Sequence, residues 1–230
     1  MRYFALAADY DGTLASNGVV DRDTVDALRR LAATRRVLIL VTGRQLGDLL
    51  RAFPEASIFD AVVAENGAVL YRPPSRETRV LAPPPSSHFV EALQRRGVKP
   101  LWVGQVVVAT VQPNETAVMD VIRELSLDLQ VILNKGSVMV LPASVDKATG
   151  LRAALDELAL SPQGVVAVGD AENDQAFLAM SGCGVAVANA LDALKAGVEH
   201  VTRGEAGAGV REVIESLISD DRCGGEPPPE

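Results

Sequence analysis

Tyr3-Phe4-Ala5-Leu6-Ala7-Ala8-Asp9-Tyr10-Asp11-Gly12-Thr13-Leu14 passes from an apolar run straight into two carboxylates one residue apart. The apolar part reads as a buried strand. Side chains alternate faces along a strand. Past the strand end the chain can curl so that Asp9 and Asp11 face one spot. In an open α/β sheet, strand ends are where ligands bind. Two carboxylates placed there repel unless a cation or a shared proton compensates them. The plain alternative is a polar turn, since Asp-Gly is a good turn former. The rest of the chain decides between the two.

Outward from this stretch, apolar runs alternate with helical patterns. Val25, Leu28 and Leu31 form a helical stripe within 22–33, with Asp21 as its N-cap. A strand follows over 37–41, a helix over 45–53 and a strand over 58–64. Asn66-Gly67 signals a turn from which Val69-Leu70-Tyr71 returns as a hairpin. From Lys147 the alternation resumes: helix to about 158, strand 165–168, helix 174–180, strand 183–187, helix 190–196, strand 198–201, and a helix over 209–218. Such alternation predicts an α/β fold, a doubly wound parallel sheet with helices on both faces.

The middle reads differently. After Pro83-Pro84-Pro85, Ser86 and Ser87 are candidate N-caps for a helix to about 95. Strand-like runs cover 101–103 and 105–111, a helix 116–125, and a hairpin 129–141 turns at Asn134-Lys135-Gly136. These predict a small α+β insert over 82–143. The larger unit is then 1–81 with 144–221, and 222–230 is a flexible tail or linker.

Composition bounds the function. The 230 residues are 48% hydrophobic and 4% aromatic, so the core is built of Val, Leu and Ala. A net charge of −8 speaks against a broad nucleic-acid surface. No apolar run approaches the roughly 18 residues of a membrane span. Cys183 and Cys223 have no metal-type spacing; one falls in a strand and the other in the tail, which predicts free thiols in a reduced, cytoplasmic protein. Neither His88 nor His200 lies in a motif.

Four segments together resemble the haloacid dehalogenase (HAD) superfamily of phosphohydrolases. Asp9-Tyr10-Asp11-Gly12-Thr13-Leu14 resembles its motif I and Thr42-Gly43-Arg44 its motif II. Lys147 resembles motif III, and Gly169-Asp170-Ala171-Glu172-Asn173-Asp174 motif IV. They occur in order, three of them after an apolar strand run, and the resemblance spans residues 1 to about 218. Thr42 comes 31 residues after Asp11, room for one helix and one strand. Lys147 comes 105 residues after Thr42, so the insert sits between motifs II and III. An α+β cap at that place resembles the type IIB branch: Cof-type, sucrose-phosphate and phosphoglycolate phosphatases, and phosphomannomutases.

The resemblance implies a phosphatase for a small phosphorylated metabolite, with Mg²⁺ as cofactor. It implies Asp9 as nucleophile, Asp11 as general acid and then base, and Thr42 as hydroxyl donor to phosphate. Lys147 offsets the charge of Asp9. Metal ligation would fall to Asp9, the backbone carbonyl of Asp11, Asp170 and, directly or through water, Asp174. Backbone amides near Gly12 and Gly43 would complete the phosphate cradle. Arg44 either contacts substrate or pairs with an acidic neighbour. Asn66 and Asn189 are turn residues with a secondary place in the substrate site, and Asn173 orients motif IV. The cap carries five basic and five acidic residues, so its charge selects no leaving group. A phosphomutase of the same branch, or a regulatory domain without turnover, is the competing expectation.

Overall fold

The computed structural model describes residues 1–224. Its main sheet has eight strands. The first half of the chain supplies β1 (Ala5–Asp9), α1 (Arg22–Ala33), β2 (Val37–Val41), α2 (Leu46–Ala52), β3 (Ala61–Ala64), β4 (Val69–Arg72) and β5 (Glu77–Val80). The middle supplies α3 (Ser87–Arg95), β6 (Trp102–Val103), β7 (Val108–Val111), α4 (Glu115–Glu124), β8 (Leu129–Asn134) and β9 (Ser137–Pro142). The last part gives α5 (Lys147–Glu157), β10 (Val165–Gly169), α6 (Gln175–Met180), β11 (Cys183–Ala186), α7 (Asp192–Lys195), β12 (His200–Val201) and α8 (Ala206–Asp220).

The strand order is β12-β11-β10-β1-β2-β3-β4-β5. From β1 the chain moves outward through β2 and β3. It later returns to pair β10 on the other side of β1. Strand order therefore reverses at β1, and the crevice at such a switch point is the natural ligand site. β1, β2, β3 and β10 are buried on both faces, as a parallel sheet covered by helices requires. β4 and β5 are antiparallel additions at one edge.

Asp21 caps α1 by accepting from the Thr24 amide at 2.8 Å, as the sequence predicts, and Ser86 caps α3. The small sheet, in order β6-β7-β9-β8, is antiparallel throughout. It forms a cap inserted between Thr42 and Lys147. Its two faces serve two cores. Val138 and Val140 of β9 pack with Phe89, Leu93, Val118 and Val121 inside the cap. Met139 and Leu141, one residue out of phase, join the main core.

Several expectations need correction. Strand β5 has no clear sequence signal, because all four of its residues are exposed. The strand expected over 105–111 is confined to β7, since residues 105–107 turn their amides to Glu65. Pro54–Ile58 forms a 3₁₀ turn, so β3 starts only at Ala61. The helix expected over 190–196 shrinks to α7, and the strand over 198–201 to β12. Cys183 and Cys223 are not free thiols but a disulfide. α8 returns the chain to the start of β11, which brings Cys223 out of the expected tail and buries it. Residues 225–230 of that tail lie outside the described residues. No helix among the described residues is long and apolar enough to cross a membrane.

Candidate active site

The parallel register sets the site. Asp9 ends β1 level with Val41 of β2, and Ala8 pairs Val168 of β10. The turns after these three adjacent strands carry Asp11, Thr42 and Asp170. Tyr10 points the other way and is fully buried, its hydroxyl donating to the Gly18 carbonyl at 3.0 Å. Gly12 has φ +94°, and a Cβ there would stand 2.3 Å from Asp170 Oδ2. Only glycine allows the motif I loop to lie this close to motif IV.

Lys147 is the first residue of α5. The helix begins there because Asp146 and Thr149 form a reciprocal cap. Gly67, at φ +105°, lets the helix approach: a Cβ would meet the Asp146 carbonyl at 1.8 Å. Lys147 Nζ is buried and donates to Asp9 Oδ1 at 2.5 Å and to Asp174 Oδ1 at 2.6 Å. The other Asp174 oxygen accepts from the Asp170 and Ala171 amides at 2.8 and 3.0 Å. Asp174 thus holds the lysine and the motif IV turn, and both of its oxygens are engaged. Asp170 accepts from the Thr13 hydroxyl at 3.3 Å on Oδ1, and from Lys135 Nζ at 2.8 Å on Oδ2.

Three buried carboxylates stand against two lysines. Burial pushes the Asp9 carboxyl up to about 8, against the pull of Lys147 and with further upward pressure from Asp174. Asp170 is also raised, first by burial, with Lys135 opposing. Burial works against the charge on Lys147, but Asp174 and Asp9 outweigh it and raise the lysine further. The cluster is short of positive charge. Carboxylate oxygens of Asp9, Asp170 and Asp174 lie within 4.8 Å of one another. The Asp11 carbonyl shares the Lys135 ammonium with Asp170. An all-oxygen donor set already gathered on a cation suits Mg²⁺.

Arg44 pairs with an acidic neighbour. Its Nε and Nη2 donate to Asp11 Oδ2 and Oδ1, both at 2.7 Å, and its guanidinium lies 4.8 Å from the Tyr10 ring centre. Thr42 is buried; its hydroxyl accepts from the Arg44 amide at 3.1 Å, which leaves the hydroxyl hydrogen to donate. Gly43 lies against the Asn66 side chain. Asn66 is wholly buried at φ 53° and accepts from Asn173 Nδ2 at 3.0 Å, tying the turn after β3 to motif IV. Asn189 donates to the Gly12 carbonyl at 2.8 Å and accepts from the Ala206 amide at 2.7 Å. It braces the motif I loop with both ends of its amide.

A cleft of about 570 Å³ separates core from cap, with Asp9, Asp11, Arg44 and Lys147 on its floor and Trp102 and Met139 on the cap side. Trp102 is half-exposed and forms a rim. Sequence reasoning missed two residues here. Glu65, buried, accepts from the amides of Gln105, Val106 and Val107 at 3.0, 2.8 and 2.8 Å, fastening the cap to the core. Lys135 crosses from the cap hairpin to motifs I and IV. Both contacts are distant in sequence, and no local pattern announces them.

The family model for haloacid dehalogenase-like hydrolases matches residues 6–117 and 118–214. The chain belongs to this family. Among HAD relatives, a phosphoglycolate phosphatase from Methanothermobacter thermautotrophicus is 30% identical over 222 residues, covering 93% of this chain and 98% of the relative. Another phosphoglycolate phosphatase, from Sulfolobus acidocaldarius, is 28% identical, covering 94% and 97%. A HAD-like hydrolase from Bacteroides thetaiotaomicron superposes with a TM-score of 0.81 at 19% identity, covering 94% of this chain and 99% of that one. A HAD subclass IIB sugar phosphatase gives 0.74 at 17%, covering 93% and 97%. The last two establish a shared fold.

Proposed function

We propose that this HAD hydrolase is a Mg²⁺-dependent phosphatase that releases phosphate from a small phosphomonoester, phosphoglycolate or a sugar phosphate, through an aspartyl-phosphate on Asp9. The observation that carries the reading is the buried Asp9–Lys147–Asp174 chain beside Asp170, at the switch point of the sheet and open to the cleft. The names of the relatives support the substrate class.

Asp9, the Asp11 carbonyl and Asp170 would hold the cation, and Asp174 would reach it through water. A Mg²⁺ held by these oxygens would supply positive charge to offset the phosphate beside the carboxylate nucleophile. Lys147 keeps one oxygen of Asp9 fixed and leaves Oδ2 to attack phosphorus. Thr42 and the Gly43 amide donate to the phosphate oxygens, whereas the Gly12 amide, expected to join them, is held at 2.8 Å by the Ala15 carbonyl and serves the motif I turn instead. Asp11 gives its proton to the departing alkoxide. It then takes a proton from the water that attacks the aspartyl-phosphate, which breaks the bond between phosphorus and Asp9 and frees phosphate. Arg44 grips both Asp11 oxygens, so this fork must open for the proton to move.

The chain divides, in this reading, at 81/82 and 143/144, and the cap sets which leaving group fits while the core does the chemistry. The place of action is the cytoplasm on the strength of its phosphorylated-metabolite substrates; with Cys183 and Cys223 joined, the thiols no longer argue for it. The test is phosphate release from phosphoglycolate and a panel of sugar phosphates, with and without a chelator. Turnover should need Mg²⁺. Asp9→Asn should lower it to less than about one-thousandth with the fold intact. Native rates in that variant, or full activity in excess chelator, would overturn the proposal.

A further inference from the structure

The cap carries one cation that leaves it. Arg95 pairs with Glu91, Arg96 with Asp120 and Glu124, and Arg123 with Asp120, all within the cap. Lys135 instead stands at the turn of the β8–β9 hairpin, at φ 48°, and reaches into the core. Its Nζ lies 2.9 Å from the Asp11 carbonyl and 2.8 Å from Asp170 Oδ2. It also marks the space over Gly12: a Cβ there would stand 2.5 Å from this Nζ.

These two oxygens are the ones the proposed cation would need. An ammonium and a divalent ion cannot share them, because both charges are positive and each oxygen would have to turn to two partners at once. Building on the proposed function, we infer that Lys135 is an internal competitor for the cation site and a latch between cap and core: a divalent ion must displace its ammonium from Asp11 and Asp170, so that ion binding and release of the hairpin are one event. Lys135 is a positioning residue in this account and acts through the two acidic residues it holds.

The rest of the cap attachment makes such a motion local. Glu65 binds the amides of residues 105–107 from a fully buried position. Met139 and Leu141 pack into the main core. That end of the cap stays fastened when Lys135 lets go. The Lys135 side chain is itself half-exposed, so on release its ammonium regains water. The latch costs the protein little to open, and a bound ion can supply the difference.

The experiment is calorimetric titration of the full chain with Mg²⁺ alone. Lys135→Met should bind Mg²⁺ at least about tenfold more tightly than the wild type, while Lys135→Arg stays near it. Lys99→Met removes the same charge from an exposed cap position and should change affinity less than about twofold. Hydrogen exchange supplies the second readout. In the wild type, Mg²⁺ should speed exchange of the 134–137 turn; in Lys135→Met that turn should be fast from the start and insensitive to Mg²⁺. Equal affinities for wild type, Lys135→Met and Lys99→Met overturn the inference alone, provided Asp170→Asn still abolishes binding. So does a wild-type hairpin whose exchange ignores Mg²⁺. If Mg²⁺ binds none of the proteins, or Asp170→Asn binds it normally, the proposed cation site falls and this inference with it.

Discussion

Lys147 occupies the first position of α5, where the helix dipole disfavours a positive charge, and it is buried there as well. Such a placement persists only because Asp9 and Asp174 surround it. The same crowding sets a pH dependence at Asp9. Its carboxyl is held up to about 8 in the fold, against an ordinary value of 3.8. Between those values the metal-free folded protein keeps a proton that the unfolded chain gives up, so its stability falls as pH rises through this window. In the proposed function, Mg²⁺ would replace that proton. The melting temperature gained on adding Mg²⁺ should therefore be larger at pH 8 than at pH 6, and the apparent Mg²⁺ affinity should climb over the same range. A gain independent of pH would contradict the assignment. Arg44 permits a second expectation. Asp11→Asn should slow turnover about 10²–10⁴-fold by removing the proposed proton donor. Arg44→Ala frees Asp11 from its fork and should alter the pH profile of kcat, which a purely structural residue would leave in place.

Among the elements, the turn that follows β3 joins the two parts of the molecule. Glu65 there gives its two oxygens to three amides of the cap, and those of Val106 and Val107 are buried. Glu65→Ala would strand them without partners. Losing hydrogen bonds to a buried carboxylate should cost about 3 kcal/mol or more. The expected result is a lower melting temperature and faster hydrogen exchange in residues 104–107; an unchanged exchange pattern there would show that the loop is held by packing alone. The same turn shows what a sequence can and cannot convey. Asp9, Thr42 and Asp170 are legible because each follows a strand run, and strand ends converge in a parallel sheet. Glu65-Asn66-Gly67 reads only as a turn, because the groups it binds come from residues 105–107 and from Asn173. Lys135 reads as a solvated hairpin lysine for the same reason, its partner Asp11 being 124 residues away. Strand β5 escapes notice because exposure gives it no alternation. Periodicity records which faces are buried, and says little about which polar groups meet across a tertiary contact.

For the whole molecule, the disulfide is the feature that composition misjudged. Cys183 and Cys223 look unrelated at a separation of 40 residues, yet α8 packs along α1 and carries Cys223 back to the first residue of β11. Closing a loop of that size stabilises by about 4 kcal/mol on the chain-entropy account. Reducing agent, or Cys223→Ser, should lower the melting temperature while leaving the cleft and its turnover intact; no change on reduction would show that packing of α8 alone suffices.

The end of α8 has one further consequence. Asp221, in the left-handed conformation, binds the backbone amides of Arg2 and Tyr3 and pairs with Arg36, residues that precede β1 and β2. Those contacts outweigh its slight burial and hold its carboxyl down to about 2. The two extremities of the described chain are thus clasped together under the sheet, at the opposite end of β1 from Asp9. Immobilisation on a bead, or fusion to a reporter beyond residue 224, would tether the enzyme by its far side, with the mouth of the cleft facing free solution. A circular permutant that bridges residues 224 and 1 with a few flexible residues would likewise keep every strand in its place.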